Sequence, residues 1–212
     1  MALPGGPSGG PGMLTELHQR RLDAVVAALI DCRARRVMDL GCGSGALLAR
    51  LVAEPCFEQI LALESSATAL QVVRSEILSD PALTPGRVRL VHGSWTEPHR
   101  DCQGYQAAAL VETIEHLDPR DLSRMENTVF GAYGLSTIVL TTPNGDYNAL
   151  IGLGAGEFRD PDHRFEWGRA KFRRWCRGLA GRHGYHVRFA GIGDEDPEHG
   201  APTQMAVFSA EP

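Results

Sequence analysis

The chain has 212 residues, of which 43% are hydrophobic and 22% are charged, and this composition is typical of one soluble domain with a single core. No apolar run approaches the ~20 residues needed to span a bilayer, and residues 1–12 have neither the basic nor the apolar part of a signal peptide. The five cysteines form no CxxC pair, so we expect no zinc module, no disulfide framework and a reducing, cytoplasmic setting.

The charges are distributed unevenly along the chain. The net charge of −5 argues against a generally basic nucleic-acid-binding protein. Residues 163–188, however, contain eight Lys or Arg and one acid, so this basic segment carries +7 and the rest of the chain −12. Such segregation predicts either a local polyanion-binding surface or a solvated helix face, and charge alone does not separate the two.

Strands and helices alternate after a Gly/Pro-rich start. Residues 1–12 are typical of a flexible tail or linker, which leaves residues 13–212 for the folded domain. Apolar periodicity predicts helices at 14–32, 46–53 and 169–183, a helix capped by Ser65 that ends at Leu78, and strands at 36–40, 59–64, 88–92, 106–111, 137–142, 186–190 and 204–209. The alternation predicts an α/β fold with a mostly parallel, doubly wound sheet, which binds ligands beyond the carboxyl ends of its strands.

The first predicted strand runs into a glycine-rich turn, D-L-G-C-G-S-G-A at 39–46. Gly41 and Gly43 allow a tight turn and a close approach of the backbone to a ligand. The glycines alone also satisfy the dinucleotide pattern. Asp39 favours S-adenosylmethionine (SAM), because a carboxylate two residues before the first glycine suits the ammonium group of SAM and has no use beside a pyrophosphate.

Two further residues belong to the predicted cofactor site. Glu64 ends the second predicted strand, where an acid accepts hydrogen bonds from ribose hydroxyls, a feature that NAD and SAM sites share. Ser94 follows the third strand, at the place where adenine is expected. Taken singly, Glu64 could be a surface acid and Ser94 a turn residue. The short chain leaves little room for the separate substrate domain of many dehydrogenases, which again favours SAM over NAD.

The fourth predicted strand is followed by E-T-I-E-H. If this segment is helical, Glu112, Glu115 and His116 share one face. Two carboxylates and an imidazole favour Mg²⁺ or Mn²⁺ over structural zinc, and the imidazole tilts the choice to Mn²⁺. His163 is the candidate fourth ligand. An isolated motif of this kind is usually a charged helix surface, but its place at the mouth of a predicted SAM site favours a metal centre.

Four strings of this sequence resemble the bacterial Hen1 family of RNA 3′-terminal 2′-O-methyltransferases in order and spacing. They are E-T-I-E-H-L-D at 112–118, T-T-P-N-G-D-Y-N at 141–148, R-D-P-D-H-R-F-E-W at 159–167 and P-T-Q-M at 202–205. The similarity extends over residues 14–209. It implies the class I SAM-methyltransferase fold, which is Rossmann-like, with seven strands, an antiparallel seventh strand and helices on both faces.

The resemblance also implies roles for individual residues and a function. By position, the implied metal ligands are Glu112, Glu115, His116 and His163, and the implied SAM-site residues are Asp39, Gly41, Gly43, Glu64 and Ser94. The implied reaction transfers a methyl group from SAM to the 2′-OH of the 3′-terminal ribose of RNA. The family further implies RNA repair with a kinase–phosphatase–ligase, joined through an N-terminal half that this chain lacks. Two residues depart from the family pattern: Glu64 replaces a commoner Asp, and Gly168 replaces a usual Thr.

The expected chemistry leaves some assignments open. A divalent cation that chelates the vicinal 2′- and 3′-oxygens would lower the pKa of the 2′-OH and exclude internal nucleotides. His116 is a candidate general base. Phe165 and Trp167 are the candidates for stacking on the terminal base, whereas Phe172 and Trp175 are expected in the core. The alternatives are a metal-dependent, catechol-type small-molecule O-methyltransferase and a non-catalytic RNA-end-binding module.

Overall fold

The structure, a computed structural model, describes residues 11–79 and 85–210, without the side chains of residues 11–15. Residues 1–10 of the predicted tail therefore lie outside the described residues, and the first helix begins at Pro11. The helices are α1 (Pro11–Asp31), α2 (Ala46–Ala53), α3 (Ala67–Glu76), α4 (Leu122–Glu126) and α5 (Arg169–His183). The strands are β1 (Arg36–Leu40), β2 (Gln59–Glu64), β3 (Val88–His92), β4 (Ala107–Val111), β5 (Thr137–Pro143), β6 (Tyr185–Ile192) and β7 (Thr203–Ala210).

All seven strands form one sheet in the order β3-β2-β1-β4-β5-β7-β6. The pairs among β1 to β5 are parallel, and β7 is antiparallel to both of its neighbours. The predicted mostly parallel sheet with an antiparallel seventh strand is confirmed. The strand order reverses between β1 and β4, and ligands of doubly wound sheets bind beyond the carboxyl ends at such a point.

Helices cover both faces of the sheet, as predicted, because the central strands are apolar on both sides. On one face, α1, α2 and α3 pack their apolar stripes over side chains such as Val37 and Ala109. On the other face, α4 and α5 pack over Met38 and Leu110. Adjacent residues of one strand thus enter opposite cores. Among the described residues, no helix combines the length and the hydropathy that a membrane crossing requires.

Two details of the predicted elements are wrong or incomplete. The cap of α3 is Ser66, whose Oγ accepts a hydrogen bond from the Ala69 amide at 3.2 Å. Ser65 cannot fill this place, since its hydroxyl donates to Glu64 instead. No element was predicted between β4 and β5, where the structure has α4 and a π-helical continuation at Asn127–Ala132. All five cysteines are free thiols, as expected.

Candidate active site

The glycine-rich turn after β1 packs closely against its surroundings. The Gly41 and Cys42 amides donate to the Leu63 carbonyl at 2.8 and 3.2 Å, which fastens the turn to the end of β2. Gly41 has a φ of +81°, and a Cβ there would lie 2.8 Å from Cγ2 of Thr113. This position therefore requires glycine for both its backbone conformation and its space.

Asp39 and Glu64 lie at the ends of the neighbouring strands β1 and β2. Asp39 is 2% exposed, and its Oδ2 is buried with no hydrogen-bond partner among the described residues. Burial, and then the nearby Glu64, raises the pKa of Asp39 to about 7. Glu64 accepts hydrogen bonds from the Gly43 amide at 3.0 Å and the Ser66 amide at 2.7 Å. A buried carboxylate oxygen without a donor is what a bound ammonium group would complete, so the site fits SAM.

Ser94 follows β3 at the same edge of the sheet. Its Oγ lies 2.7 Å from the Thr96 hydroxyl and accepts a hydrogen bond from the Thr96 amide at 3.2 Å. Gly93 donates to the Glu64 carbonyl at 3.0 Å, which joins this turn to the end of β2. The structure therefore places Ser94 in a turn beside Glu64. We call Asp39, Gly41, Gly43, Glu64 and Ser94 the cofactor pocket.

The segment after β4 does not form the helix on which the shared face of Glu112, Glu115 and His116 depended. Glu112 has a φ of +50°, and only Ile114–His116 form a short 3-10 turn. The Glu112 amide still donates to the carbonyl and hydroxyl of Thr141, each at 3.2 Å. Because Glu112 continues the pairing with β5, helical backbone cannot begin there.

Three of the four predicted metal ligands nevertheless come together. One ligand atom each from Glu115, His116 and His163 lies within 4.8 Å of the others, and we call these residues the metal cluster. Glu115 is fully buried; its Oε2 accepts from the Thr142 hydroxyl at 3.0 Å, whereas its Oε1 has no partner among the described residues. The Arg164 amide donates to the Glu115 carbonyl at 2.7 Å and so joins the two segments.

Glu112 lies outside this group. Its Oε2 forms an ion pair with Arg21 at 3.1 Å, and its Oε1 accepts a hydrogen bond from the Thr141 hydroxyl at 2.9 Å. Arg21 also donates to the Thr203 hydroxyl at 3.0 Å. Arg21 was not among the predicted site residues, although an arginine among the apolar positions of α1 is a detectable signal.

The electrostatics of the metal cluster favour a cation. Burial, and then the neighbouring Glu112, raises the pKa of Glu115 well above its usual range. Burial also raises the pKa of Glu112, although Arg21 opposes this effect. Burial and then His163 lower the pKa of His116, which keeps its imidazole neutral near pH 7. A buried carboxyl group with a free oxygen, beside the neutral His116 imidazole, fits a divalent cation.

Glu166 was not among the predicted site residues, although it contacts the metal cluster through His163. Its side chain is 1% exposed and accepts hydrogen bonds from His163 Nδ1 at 2.5 Å and from Asn148 Nδ2 at 2.6 Å. Since Glu166 occupies Nδ1 of His163, Nε2 is the ring nitrogen available for a metal. A carboxylate behind a ligating histidine is the usual second layer of a metal site. The signal in the sequence was one acid within the basic segment.

Hydrogen bonds between the family strings explain why these strings occur together. Asn144 donates to the carbonyls of His199 and Ala201, each at 2.8 Å. Arg159 donates to the carbonyls of Asn144 and Pro202 at 2.7 and 2.8 Å. These contacts hold the loop after β5 and the His163 loop against the start of β7, and so position one wall of the metal cluster.

Two expectations about the basic segment need correction or refinement. Phe165 and Trp167 are 7% and 8% exposed and stack on each other with centroids 4.3 Å apart, so they are not free to stack on a base. At Gly168, the N-cap of α5, no side-chain cap is available. Asp146 supplies one instead, since its Oδ2 accepts from the Arg169 amide at 3.0 Å. A Cβ at Gly168 would lie 2.0 Å from Asp146 Oδ1, which explains the glycine.

Comparison with known proteins places this geometry in a family context. The family model for a methyltransferase domain matches residues 37–131. A small RNA 2′-O-methyltransferase from Mus musculus is 35% identical over 205 residues, which cover 91% of this chain and 51% of that protein. The chain thus spans about half the length of the curated relatives it matches.

Two solved structures are similar to different degrees. The methyltransferase domain of bacterial CtHen1 is 39% identical, with a TM-score of 0.84, over 92% of this chain and 100% of that one. A chain of the Pnkp1/Rnl/Hen1 RNA repair complex is 21% identical, with a TM-score of 0.69, over 91% of this chain and 41% of that one. At this lower identity, the likeness establishes the fold alone.

Proposed function

This chain belongs to the Hen1 family of methyltransferase domains, and on that premise we propose that it methylates the 2′-OH of the 3′-terminal ribose of RNA. The observation that carries the proposal is the meeting of two sites at the carboxyl edge of one sheet. One is a glycine-lined turn with a buried, unpaired carboxylate at Asp39. The other is the metal cluster, with a second unpaired carboxylate oxygen at Glu115.

The cofactor pocket binds and orients the methyl donor. SAM supplies a methyl group that its sulfonium already activates. Asp39 would accept hydrogen bonds from the ammonium group, and Glu64 would accept them from the ribose hydroxyls. The left-handed backbone at Gly41 and Gly43 lets the turn approach the ligand without a Cβ in between.

The metal cluster would hold a divalent cation, Mn²⁺ or Mg²⁺, with the imidazoles favouring Mn²⁺. Such an ion supplies a Lewis acid that makes a nearby hydroxyl more acidic. Glu166 keeps His163 in the tautomer that presents Nε2. Glu112 keeps free lone pairs beside its bonds to Arg21 and Thr141, so we retain it as the fourth ligand.

His116 has one free lone pair as a neutral imidazole, so it cannot serve as ligand and general base at once. We assign it the ligand role because its ring centroid lies 4.8 Å from that of His163. The acceptance of the hydroxyl proton by His116 remains the alternative, and it predicts that transfer depends on a group with a pKa below that of ordinary histidine.

Transfer of a labelled methyl group from SAM tests this function. We expect transfer to RNA that ends in a 2′,3′-diol, and none to RNA that ends in a 3′-phosphate or a 2′-deoxyribose. Transfer to catechol but not to RNA would identify a small-molecule O-methyltransferase. Binding of RNA ends without any transfer would identify a binding module.

We also propose that the chain acts in RNA repair beside a kinase–phosphatase–ligase. The support is its fold-level likeness to a chain of the Pnkp1/Rnl/Hen1 RNA repair complex. Methylation of a cleaved RNA end before sealing is the step that this chain would contribute to such a partnership. Reconstitution with the purified repair enzymes tests this idea: sealed RNA should carry a 2′-O-methyl group at the former break, and its absence would contradict the repair role.

A further inference from the structure

An open groove lies between the segment that follows the metal cluster and the first turns of α5. It has a volume of about 440 Å³. One wall is formed by the 3-10 turn Pro119–Asp121 and by α4, including Leu122 and Ser123. The opposite wall is formed by Lys171, Arg174 and Trp175 of α5. We call this feature the α4–α5 groove.

The α4–α5 groove combines an apolar lining with cations that have no described acidic partner. Trp175 is half-buried, and its ring meets the Trp167 ring edge-on with centroids 5.3 Å apart. Lys171 and Arg174 are exposed, and neither forms an ion pair with any carboxylate in residues 11–79 or 85–210. Lys171 Nζ lies 4.8 Å from the centroid of the Trp167 ring.

The one carboxylate of the α4–α5 groove is already neutralised. Glu126 accepts hydrogen bonds from Arg182 at 2.6 Å and lies 2.9 Å from His183 Nε2. Its charge therefore opposes an incoming anion only weakly. An apolar groove beside cations without a described ion-pair partner is complementary to a nucleotide, whose base stacks while its phosphate pairs with Lys or Arg.

Residues of both walls of the α4–α5 groove follow residues of the metal cluster closely in the sequence. Pro119 follows His116 by three residues, so their Cα atoms are at most about 11 Å apart. Trp167 follows His163 by four residues, and its ring forms part of the lining. The groove is thus within reach of the nucleotides that directly precede a 3′-terminal ribose held at the metal cluster.

Resting on the proposed function, we infer that the α4–α5 groove holds one of the nucleotides just before the 3′ end of single-stranded RNA. The base packs against Trp175 and the apolar wall at Leu122, and the adjacent phosphate lies by Lys171 and Arg174. Because every base has a face that stacks on an aromatic ring, this subsite accepts any base but requires that one be present.

A scan with abasic RNA tests the inference in the wild-type chain. In a series of oligonucleotides with a 2′,3′-diol, the base is removed at one position at a time near the 3′ end. We expect one position at which the loss raises KM for RNA by about five- to a hundredfold, the range that stacking of a single base supports, with kcat unchanged. A KM that does not depend on the abasic position would overturn the groove assignment.

A groove-filling variant assigns that position to the α4–α5 groove without disturbing the core, because Ser123 is exposed. Ser123→Trp should raise KM for intact RNA as much as the abasic substitution does, and it should add little on RNA that lacks the critical base. Ser136→Trp is the matched control, since Ser136 is exposed just before β5, at the opposite edge of the sheet. SAM binding by calorimetry verifies that both variants are folded.

The outcomes separate the inference from the function on which it rests. No methylation of any RNA by the wild-type chain would contradict the proposed function itself. Methylation with equal KM in Ser123→Trp and in the wild type would contradict only the α4–α5 groove. Additive effects of Ser123→Trp and the abasic position would also contradict it, since independent sites do not share one base.

Discussion

The cofactor pocket and the metal cluster lie at the same edge of the sheet, but they are assembled in different ways. The cofactor pocket comes mainly from turns that directly follow β1, β2 and β3. The metal cluster joins the turn after β4 to a loop some 50 residues later in the chain, and Thr142 of β5 supports Glu115 by a hydrogen bond. A pocket made from consecutive strand ends is fixed by local backbone, whereas a cluster made from distant segments is fixed by side-chain hydrogen bonds.

This difference predicts that substitutions in one site leave the other site intact. The largest loss of methyl transfer is expected from substitutions in the metal cluster. Glu115→Ala or His163→Ala should lower methyl transfer about a thousandfold, since several kcal/mol of stabilisation of the reacting oxygen is lost. SAM affinity should stay nearly unchanged, because neither residue belongs to the cofactor pocket. Single-turnover transfer and calorimetry measure the two effects. Substantial methyl transfer by either variant would contradict the proposed role of that residue as a metal ligand.

The converse substitutions should damage only the cofactor pocket. Asp39→Ala or Glu64→Ala should weaken SAM binding about ten- to a hundredfold, which is the loss of a charge-assisted hydrogen bond. Ser94→Ala is the matched test of a weaker contact and should cost about fivefold or less, because its hydroxyl is already shared with Thr96. The affinity for Mn²⁺, measured by titration, should be unchanged in all three variants. Tighter binding of NAD than of SAM by the wild-type chain would overturn the cofactor assignment.

Glu166 tests whether the metal cluster depends on its hydrogen-bonded support. Glu166→Gln should lower Mn²⁺ affinity about ten- to a hundredfold, because the side chain loses its negative charge and one of the two acceptor oxygens that serve His163 and Asn148. The matched control is Glu157→Gln, an exposed acid on the same loop. If both variants bind Mn²⁺ like the wild type, Glu166 has only a packing role and the distinction drawn between the two sites is weakened.

The pH dependence of the cofactor pocket follows from the raised pKa of Asp39. SAM needs the ionised carboxylate, so its affinity should fall as pH drops below about 7, at most about tenfold per pH unit. The free energy of unfolding of the SAM-free chain should show the opposite trend and fall as pH rises. The contribution of Asp39 is present at acidic pH and is lost as pH rises through about 7, because the folded-state pKa is above the unfolded one. Asp39→Asn should remove both dependences in calorimetry and thermal unfolding.

The smallest effect concerns the basic segment, where the structure separates two adjacent arginines. Arg174 lines the α4–α5 groove, whereas the Arg173 guanidinium lies 5.7 Å from the Phe189 ring on the other side of α5. Arg174→Glu should flatten the slope of log K against log salt by about 0.7 for one lost phosphate contact, and Arg173→Glu should leave it nearly unchanged. Equal slopes for both variants and the wild type would make the segment a solvated helix face.

The contrast between the cofactor pocket and the metal cluster also explains which features could be predicted from the sequence. The strands, the glycine turn and the acids at 39 and 64 follow from patterns confined to a few residues, and the structure has them where they were expected. The helix assumed for 112–116 failed because spacing does not reveal that Glu112 still pairs with β5. Arg21 was missed because its partner Glu112 lies 91 residues away in the sequence. Glu166 was missed because its contact with the half-buried His163 depends on how the loop folds.

The exposure of the aromatic residues in the basic segment could not be predicted from their positions in the sequence. Phe165 and Trp167 flank a metal ligand in the sequence, which suggested exposure to the substrate. In the structure both are buried and pack on each other, and Trp175, expected in the core, is the half-buried ring at the α4–α5 groove. Which aromatic face meets solvent depends on the packing of α4 against α5, and α4 gave no recognisable signal in the sequence.

Periodate resistance of RNA tests the central claim most directly. RNA with a 2′,3′-diol is incubated with the chain and SAM, with and without Mn²⁺, and is then treated with periodate, which cleaves only an unmodified terminal diol. We predict that the RNA becomes resistant only when chain, SAM and Mn²⁺ are all present, and that Glu115→Ala abolishes the resistance. RNA that stays sensitive under all these conditions, while SAM is bound, would contradict methylation of the 3′-terminal 2′-OH.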